Sequence, residues 1–293
     1  MGVILLILLG VDWASGYAIA GYCMTHGVSP YGYAFWQSFG PFILLLLIQL
    51  IRRDFWLAKS GAIYAVLCGL FGIVIPNLLI YFASMHVPSG LLTIIANASP
   101  IFTYILAVLF RDENFSVARF SVVIFGMCGV ALIILPNQHL ELFGIAHGWL
   151  LLALLIPLSY AFSAVYISRF HPGGGNYLSY AMWMLMFATL VNSPLAVIKG
   201  GYYPLKLNDL FSWLIIVEII LSTFGYVLLF ILIKRVGAVY YTLVNAVAVV
   251  AGVGYGYLIF GQQFDWLMLV GVIFIMLAIM LLTYLQGNIK KLR

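Results

Sequence analysis

Residues 88–115 read PSGLLTIIANASPIFTYILAVLFRDENF. From Pro88 to Leu109 there is no charged side chain, and then Arg111, Asp112 and Glu113 arrive together. A helix rises about 1.5 Å per residue and a bilayer core is about 30 Å thick, so a run of this length spans lipid. Its apolar residues are continuous and do not alternate, which excludes a barrel strand.

Working outward, the same pattern recurs along the chain. It predicts ten helices, over 3–23, 31–51, 61–82, 88–109, 117–136, 148–168, 177–198, 211–234, 237–260 and 266–286. Short turns separate them, such as His26-Gly27-Val28-Ser29-Pro30, Arg52-Arg53-Asp54 and His171-Pro172-Gly173-Gly174-Gly175-Asn176. The longest connection, near 199–210, holds Gly200, Gly201, Pro204 and Asp209. Composition agrees: 65% of the 293 residues are hydrophobic and 7% are charged. A soluble chain carries about 25% charged residues, so a soluble enzyme, a nucleic-acid binder and a disordered protein are excluded. The apolar start, Met1-Gly2-Val3-Ile4-Leu5-Leu6, lacks a basic segment and reads as a first span, not a cleaved signal. Cys23, Cys68 and Cys128 have no metal or redox spacing and read as small apolar fillers. No cofactor or metal is implied.

The basic residues orient the chain. With the N-terminus in the cytoplasm, the inner loops and tail hold Arg52, Arg53, Lys59, Arg111, Arg119, Arg169, Lys234, Arg235, Lys290, Lys291 and Arg293, while the outer loops hold only Lys199 and Lys206. That asymmetry predicts both termini inside. The halves also resemble each other at an offset near 149. Phe110-Arg111-Asp112-Glu113-Asn114-Phe115 falls opposite Ile259-Phe260-Gly261-Gln262-Gln263-Phe264, and Ala-Ser-Met-His-Val-Pro at 83–88 falls opposite Leu-Ile-Lys-Arg-Val-Gly at 232–237. Asp12-Trp13-Ala14-Ser15 matches Ser159-Tyr160-Ala161-Phe162 at 147. Five helices per half inserts the second half upside down. The expected fold is therefore an all-α polytopic membrane protein of ten transmembrane helices in two inverted five-helix repeats, 1–140 and 141–293. Inverted repeats give two nearly equivalent states, one open to each side, as secondary transporters need.

Several short pieces resemble the ten-helix EamA-type exporters of the drug/metabolite transporter superfamily. They are Gly10-Val11-Asp12-Trp13-Ala14-Ser15-Gly16-Tyr17, Gly27-Val28-Ser29-Pro30, Ala98-Ser99-Pro100-Ile101-Phe102 with Asp112-Glu113, and Arg235-Val236-Gly237-Ala238 opening the ninth helix. The resemblance covers essentially the whole chain. It implies a substrate cavity between the halves, lined by the first, third, fourth, sixth, eighth and ninth helices. Three positions depart from the family pattern: Gln37 stands where many members have arginine, Val249 where a proline is expected opposite Pro100, and Gln262 where an acid is expected opposite Glu113.

Two carboxylates fall inside the predicted spans, Asp12 in the first and Glu218 in the eighth. Burying a charge costs several kcal/mol, so each is a candidate for proton coupling or for binding a cationic group. The plain alternative is a protonated carboxyl hydrogen-bonded to Ser or Tyr nearby. Ser89, Thr93, Asn97, Pro100 and Tyr104 form one face of the fourth helix; Ala238, Tyr241, Asn245, Gly252 and Gly256 form one face of the ninth. Asn97 and Asn245 then pair at similar depth, as substrate ligands or as interhelical glue. Trp13, Tyr17, Tyr160 and Tyr226 supply an aromatic wall or ordinary packing, and Gln37, Asn77 and Thr93 complete the cavity candidates. Pro76 and Pro100 each free a backbone carbonyl four residues earlier and are hinge candidates. His26, His86, His139, His147 and His171 lie in loops or at span ends and form no cluster. The predicted function is export of small metabolites across a bacterial inner membrane by alternating access. The substrates are amino acids or other neutral, zwitterionic or aromatic compounds, and the proton gradient drives transport through Asp12 or Glu218. A uniporter or exchanger is the nearer alternative. A membrane enzyme or scaffold is the distant one, and neither Gly-x-Ser-x-Gly nor His-Glu-x-x-His occurs. The partners are a small-molecule substrate and the lipid bilayer, with no nucleic acid, and the chain works as monomer or homodimer.

Overall fold

The computed structural model describes residues 2–53, 59–111, 114–134, 145–170, 177–241, 243–263 and 265–291. Among them every regular element is helical. In order these are α1 (Gly2–Thr25), α2 (Pro30–Arg52), α3 (Lys59–Gly69), a π turn (Leu70–Val74), α4 (Ile75–Ala83), α5 (Ser89–Ala96), α6 (Ser99–Leu109), α7 (Val117–Ile134), α8 (Ile145–Ala153), α9 (Leu155–Phe170), α10 (Tyr177–Ile198), α11 (Leu210–Tyr241), α12 (Leu243–Phe260) and α13 (Trp266–Lys291). Six helical stretches are long and apolar enough to cross a membrane: Ile4–Thr25, Pro30–Arg52, Gly61–Ala83, Ser89–Leu109, Gly148–Tyr166 and Leu178–Ile198. Four shorter apolar stretches, Val117–Gly129, Leu210–Tyr226, Val244–Phe260 and Trp266–Leu282, lie within α7, α11, α12 and α13. Asp54, Asp112, Glu113, His139, the 171–176 turn and Arg293 lie outside the described residues, as do the side chains of His147, Lys234, Arg235 and Tyr241.

The outer faces are apolar. On α13 the exposed side chains are Leu269, Ile273, Leu277, Met280, Leu281 and Tyr284. Water would not tolerate such a face, but lipid does. The interior is knit by a few long pairings: α7 along α13, α1 along α12 and α11, α2 along α10, α5 along α12, and α6 along α9. The main core cluster joins α1, α2, α4, α5 and α6 to α12 and α13.

Both predicted prolines mark irregular backbone. Pro76 opens α4 directly after the π turn. In that wider turn the Ile75 amide donates to the Leu70 carbonyl, so the Phe71 carbonyl would next require an amide from Pro76, which has none. Ser159 Oγ, on α9, donates to it instead at 2.7 Å. The freed carbonyl is therefore one residue earlier than simple α-register predicts. Pro100 sits in the first turn of α6. The fourth predicted helix is in fact two, because Asn97 (φ −81°, ψ 2°) and Ala98 (φ −75°, ψ 1°) leave helical geometry between α5 and α6.

The expected boundary at 234–237 is displaced. α11 runs on to Tyr241 and α12 starts at Leu243. Lys234-Arg235-Val236-Gly237 contains no residue that lacks an amide hydrogen, and one glycine costs only about 1 kcal/mol in a helix. Ala238 and Tyr241 thus belong to the end of α11 and do not share a helix with Asn245.

The 199–209 connection folds back over the start of α2. Trp36 Nε1 donates to the Tyr203 carbonyl at 2.7 Å, and Gly32 admits the Gly201 carbonyl where a Cβ would collide. Tyr203 donates its hydroxyl to Asp209, whose Oδ2 also accepts from the Ser212 amide at 3.0 Å and hydroxyl at 2.7 Å. A cavity of about 230 Å³ lies among Tyr203, Pro204, Lys206 and Asp209. The Tyr203 hydroxyl, then Ser212, holds the Asp209 carboxyl below its ordinary value of 3.8. Burial, then the Asp209 bond, pushes the Tyr203 phenol up to about 12.

Two outcomes are expected. Ser159→Ala orphans the Phe71 carbonyl and lowers stability by about 1 kcal/mol in a detergent melt. Because Asp209 is held low, its stabilisation is present at neutral pH and lost as pH falls below 3.8 through the folded value. Asp209→Asn removes that acid-dependent part, read from melting temperatures between about pH 6 and about pH 3.

Candidate functional site

Asp12 and Glu218 meet where α1 crosses α11, and glycines make the meeting possible. Gly16 stands one helical turn beyond Asp12, and a Cβ there would lie 2.9 Å from Glu218 Oε1. Gly225 stands two turns beyond Glu218, and a Cβ there would strike Asp12 Oδ2 and lie 3.3 Å from Trp13 Nε1. Each acid thus occupies the notch above the other helix's glycine. The crossing is antiparallel: 12 to 16 on one helix runs against 225 to 218 on the other. The four residues from Asp12 to Gly16 span about 6 Å of the α1 axis. The two lie within electrostatic range of each other.

Glu218 is held on one side only. Its Oε1 accepts from Gln37 Nε2 on α2 and from Ser222 Oγ at 2.9 Å, one turn along α11. Its Oε2 is buried without a hydrogen-bond partner, as is Asp12 Oδ1. Both residues are buried. Asp12 is flanked by Trp13, which packs with Leu5, Leu6, Leu9, Leu228, Val244 and Val247.

Around the acids stands a group of tyrosines. Tyr17 and Tyr160 share a hydrogen bond, and Tyr160 donates on to Asn77 Oδ1 at 3.2 Å. Tyr33, Tyr81 and Tyr226 all lie within electrostatic range of Glu218. Tyr33 and Tyr81 meet edge to face, with centroids 4.8 Å apart, and the Tyr33 hydroxyl is buried and unpartnered.

The predicted residues divide accordingly. Asp12, Trp13, Tyr17, Gln37, Asn77, Tyr160, Glu218 and Tyr226 gather in this region. Thr93 and Asn97 lie apart on α5, and their donors are used locally: Thr93 Oγ1 to the Ser89 carbonyl and Asn97 Nδ2 to the Thr93 carbonyl, both at 2.8 Å. Thr93 packs on Gly252 of α12, and the Gly90 amide donates to Gln262 Oε1 at 3.3 Å. That antiparallel register carries Asn97 toward the Asn245 end of α12, where Asn245 is buried. The side chain of Tyr241 lies outside the described residues. Pro76 and Pro100 flank the region as helix-opening residues.

Sequence reasoning missed Tyr33, Tyr81 and Ser222. A signal was present. Each lies four residues from a residue already singled out, namely Gln37, Asn77 and Glu218, and so shares its helix face.

Gly225→Ala drives a methyl into Asp12 and Trp13 and is expected to cost about 1–3 kcal/mol. Gly254→Ala, with no atom within 4 Å of the new methyl, is expected to stay within about 0.5 kcal/mol of the parent. Paired thermal melts in detergent check both.

Comparison with known proteins places this geometry in context. Among curated proteins no match is found. One solved protein crystal structure is similar over 97% of this chain and 98% of its own, at 15% identity and a TM-score of 0.63, which is a likeness of fold. The sequence profile of the EamA-like transporter family matches residues 1–135 and again 147–284. The two matches cover nearly the whole chain, and this integral membrane protein belongs to the EamA-like transporter family, within the drug/metabolite transporter superfamily.

Proposed function

We propose that this chain is a secondary transporter that exports small metabolites across a bacterial cytoplasmic membrane by alternating access. Its substrates are amino acids or other small neutral, zwitterionic or aromatic compounds, and the movement is coupled to protons through Asp12 and Glu218. The observation that carries the reading is the α1–α11 crossing. Two carboxyls lie buried in lipid-enclosed protein, each with one oxygen unpartnered, and such groups mark ion and proton routes.

In this reading the chain forms ten spans in two inverted halves, 1–140 and 141–293, with both termini cytoplasmic. The separate family matches over 1–135 and 147–284 support the division, and the eleven-to-two distribution of basic residues supports the orientation. Substrate binds between the halves near the acids and tyrosines. Rocking of the halves opens the site to one side and then the other. The π turn and Pro76 on one flank, and the Asn97–Ala98 break on the other, supply backbone that can flex. Ionising both acids sets like charges against each other at the crossing in the low-dielectric interior, and protonation relieves that repulsion and lets it close.

Purified protein in liposomes, loaded with amino acids and aromatic metabolites, gives the test. Efflux should quicken under an inward proton gradient, and Asp12→Asn should remove that dependence. Unchanged proton dependence in Asp12→Asn would rule out coupling at Asp12, and no solute movement under any gradient would end the transport reading.

A further inference from the structure

The connection from α10 to α11 lies at the membrane boundary. Ile198 ends a stretch long and apolar enough to cross a membrane, and Leu210 opens the next apolar stretch. The connection carries the cavity of about 230 Å³ among Tyr203, Pro204, Lys206 and Asp209. These residues have no part in the proposed transport. The cavity is smaller than the about 300–1,000 Å³ of a pocket that encloses a whole ligand, so it suits a polar head whose remainder lies outside. Its two charges are opposite in sign. Asp209 commits Oδ2 to the Tyr203 hydroxyl and to the amide and hydroxyl of Ser212, while Oδ1 receives one long bond, from the Phe211 amide at 3.4 Å. Lys206 is bonded through its backbone amide, to Ser212 Oγ at 2.9 Å, and its side chain is exposed. An acceptor and a cation are thus open to a ligand in one cavity. The rim is apolar. Leu207, Leu210 and Trp213 are exposed, and Trp213 Nε1 donates to the Leu207 carbonyl at 2.9 Å. From Trp213 the exposed apolar side chains continue along one face of α11 at Val217, Ile220 and Phe224. Between Trp213 and Phe224 the helix rises about 16 Å, about half of a hydrocarbon core, which is the depth of one leaflet.

We propose that this cavity and the α11 track below it bind one phospholipid whose headgroup joins a phosphate to a primary ammonium, as in phosphatidylethanolamine. The assignment rests on the membrane setting of the helices and is independent of what the protein transports. The phosphate pairs with the Lys206 ammonium, a compact point charge. The lipid ammonium donates to Asp209 Oδ1. Asp209 is ionised at neutral pH, because the Tyr203 hydroxyl and Ser212 hold its carboxyl below 3.8. One cation and one anion match a zwitterionic head and leave no net charge behind. An anionic head such as phosphatidylglycerol satisfies Lys206 but sets its phosphate beside Asp209 with no positive group to offset it. A choline head carries the positive charge but no N–H to donate. A free zwitterion offers the same two charges but has no tail for the α11 track. Aromatic rings and lysines settle at headgroup depth, which matches Trp213 and Lys206 here. The connection is pinned to α2 by the Trp36 bond to the Tyr203 carbonyl and by the close approach at Gly32. A lipid seated in it therefore braces α2 against the start of α11.

The test is native mass spectrometry of the detergent-purified full chain. It is titrated with phosphatidylethanolamine, phosphatidylcholine and phosphatidylglycerol of one acyl composition, and with glycerophosphoethanolamine, the same head without tails. The first phosphatidylethanolamine should bind at least about tenfold tighter than each of the other three. Lys206→Gln should weaken it by about tenfold, while Lys199→Gln, at an exposed lysine outside the cavity lining, should leave it within about twofold. Asp209→Asn should cancel the preference over phosphatidylcholine and strengthen phosphatidylglycerol, a gain that loss of structure would not produce. The comparison of headgroups uses the parent protein alone, so a variant that fails to fold does not remove the test. Equal affinity for the three lipids, tighter binding of phosphatidylglycerol, glycerophosphoethanolamine binding as tight as the lipid, or an unchanged affinity in Lys206→Gln would each overturn the assignment.

Discussion

In hydrocarbon a backbone amide or carbonyl without a partner costs several kcal/mol, and the irregular turns of these helices are answered from within the chain. The π turn and Pro76 strand the Phe71 carbonyl, and Ser159 reaches it from another helix. At the break the Asn97 amide still donates to the Thr93 carbonyl and the Ala98 amide turns to the Ile95 carbonyl, both at 3.1 Å, so these two amides stay paired within the chain. Gln262 reaches the Gly90 amide at the start of α5. Measured against this rule, Asp12 Oδ1, Glu218 Oε2 and the Tyr33 hydroxyl stand out in one region, while Trp183 Nε1 and Asn192 Oδ1 are left unpartnered on α10. The same constraint that fixes the scaffold makes these three atoms conspicuous.

Helix positions were legible in the sequence because lipid thickness dictates their length. A helix expected at 177–198 is found at Tyr177–Ile198, and one expected at 31–51 at Pro30–Arg52. The breaks were less legible. Asn97 resembles any polar residue in an apolar run, and only its local geometry ends α5. The turn after α11 came six to seven residues late because glycine and two basic residues do not by themselves stop a helix. At the site, Asp12, Gln37 and Glu218 were visible singly as polar groups in apolar runs. Their meeting was not, because the α1–α2–α11 packing is tertiary. Tyr33 and Tyr81 were hidden among 19 tyrosines, although four-residue spacing from Gln37 and Asn77 could have marked them.

The two halves use corresponding positions with different chemistry. Asp12 corresponds to Ser159 at the offset of 147, and Gly16 to Ser163. At the α1–α11 crossing the first pair supplies an acid and a notch. Where α9 crosses the π turn, Ser159 bonds the Phe71 carbonyl and Ser163 Oγ would lie 2.8 Å from a Cβ on Gly72. Both crossings need close approach, so both use small residues. Only the first carries groups that change charge.

The three tight glycines of α1 add a different constraint. Gly10 lies against Val247 of α12, Gly16 against Glu218 of α11 and Gly21 against Ser89 of α5. At about 100° per residue Gly10 and Gly21 fall within about 20° of each other, and Gly16 points well away from both. α1 is thus threaded among its neighbours like a screw in a nut, and turning it about its own axis would push larger side chains into all three contacts. In the terms of mutational scanning, its intolerant positions should fall on two faces, one shared by Gly10 and Gly21 and one holding Gly16, instead of lying along one stripe.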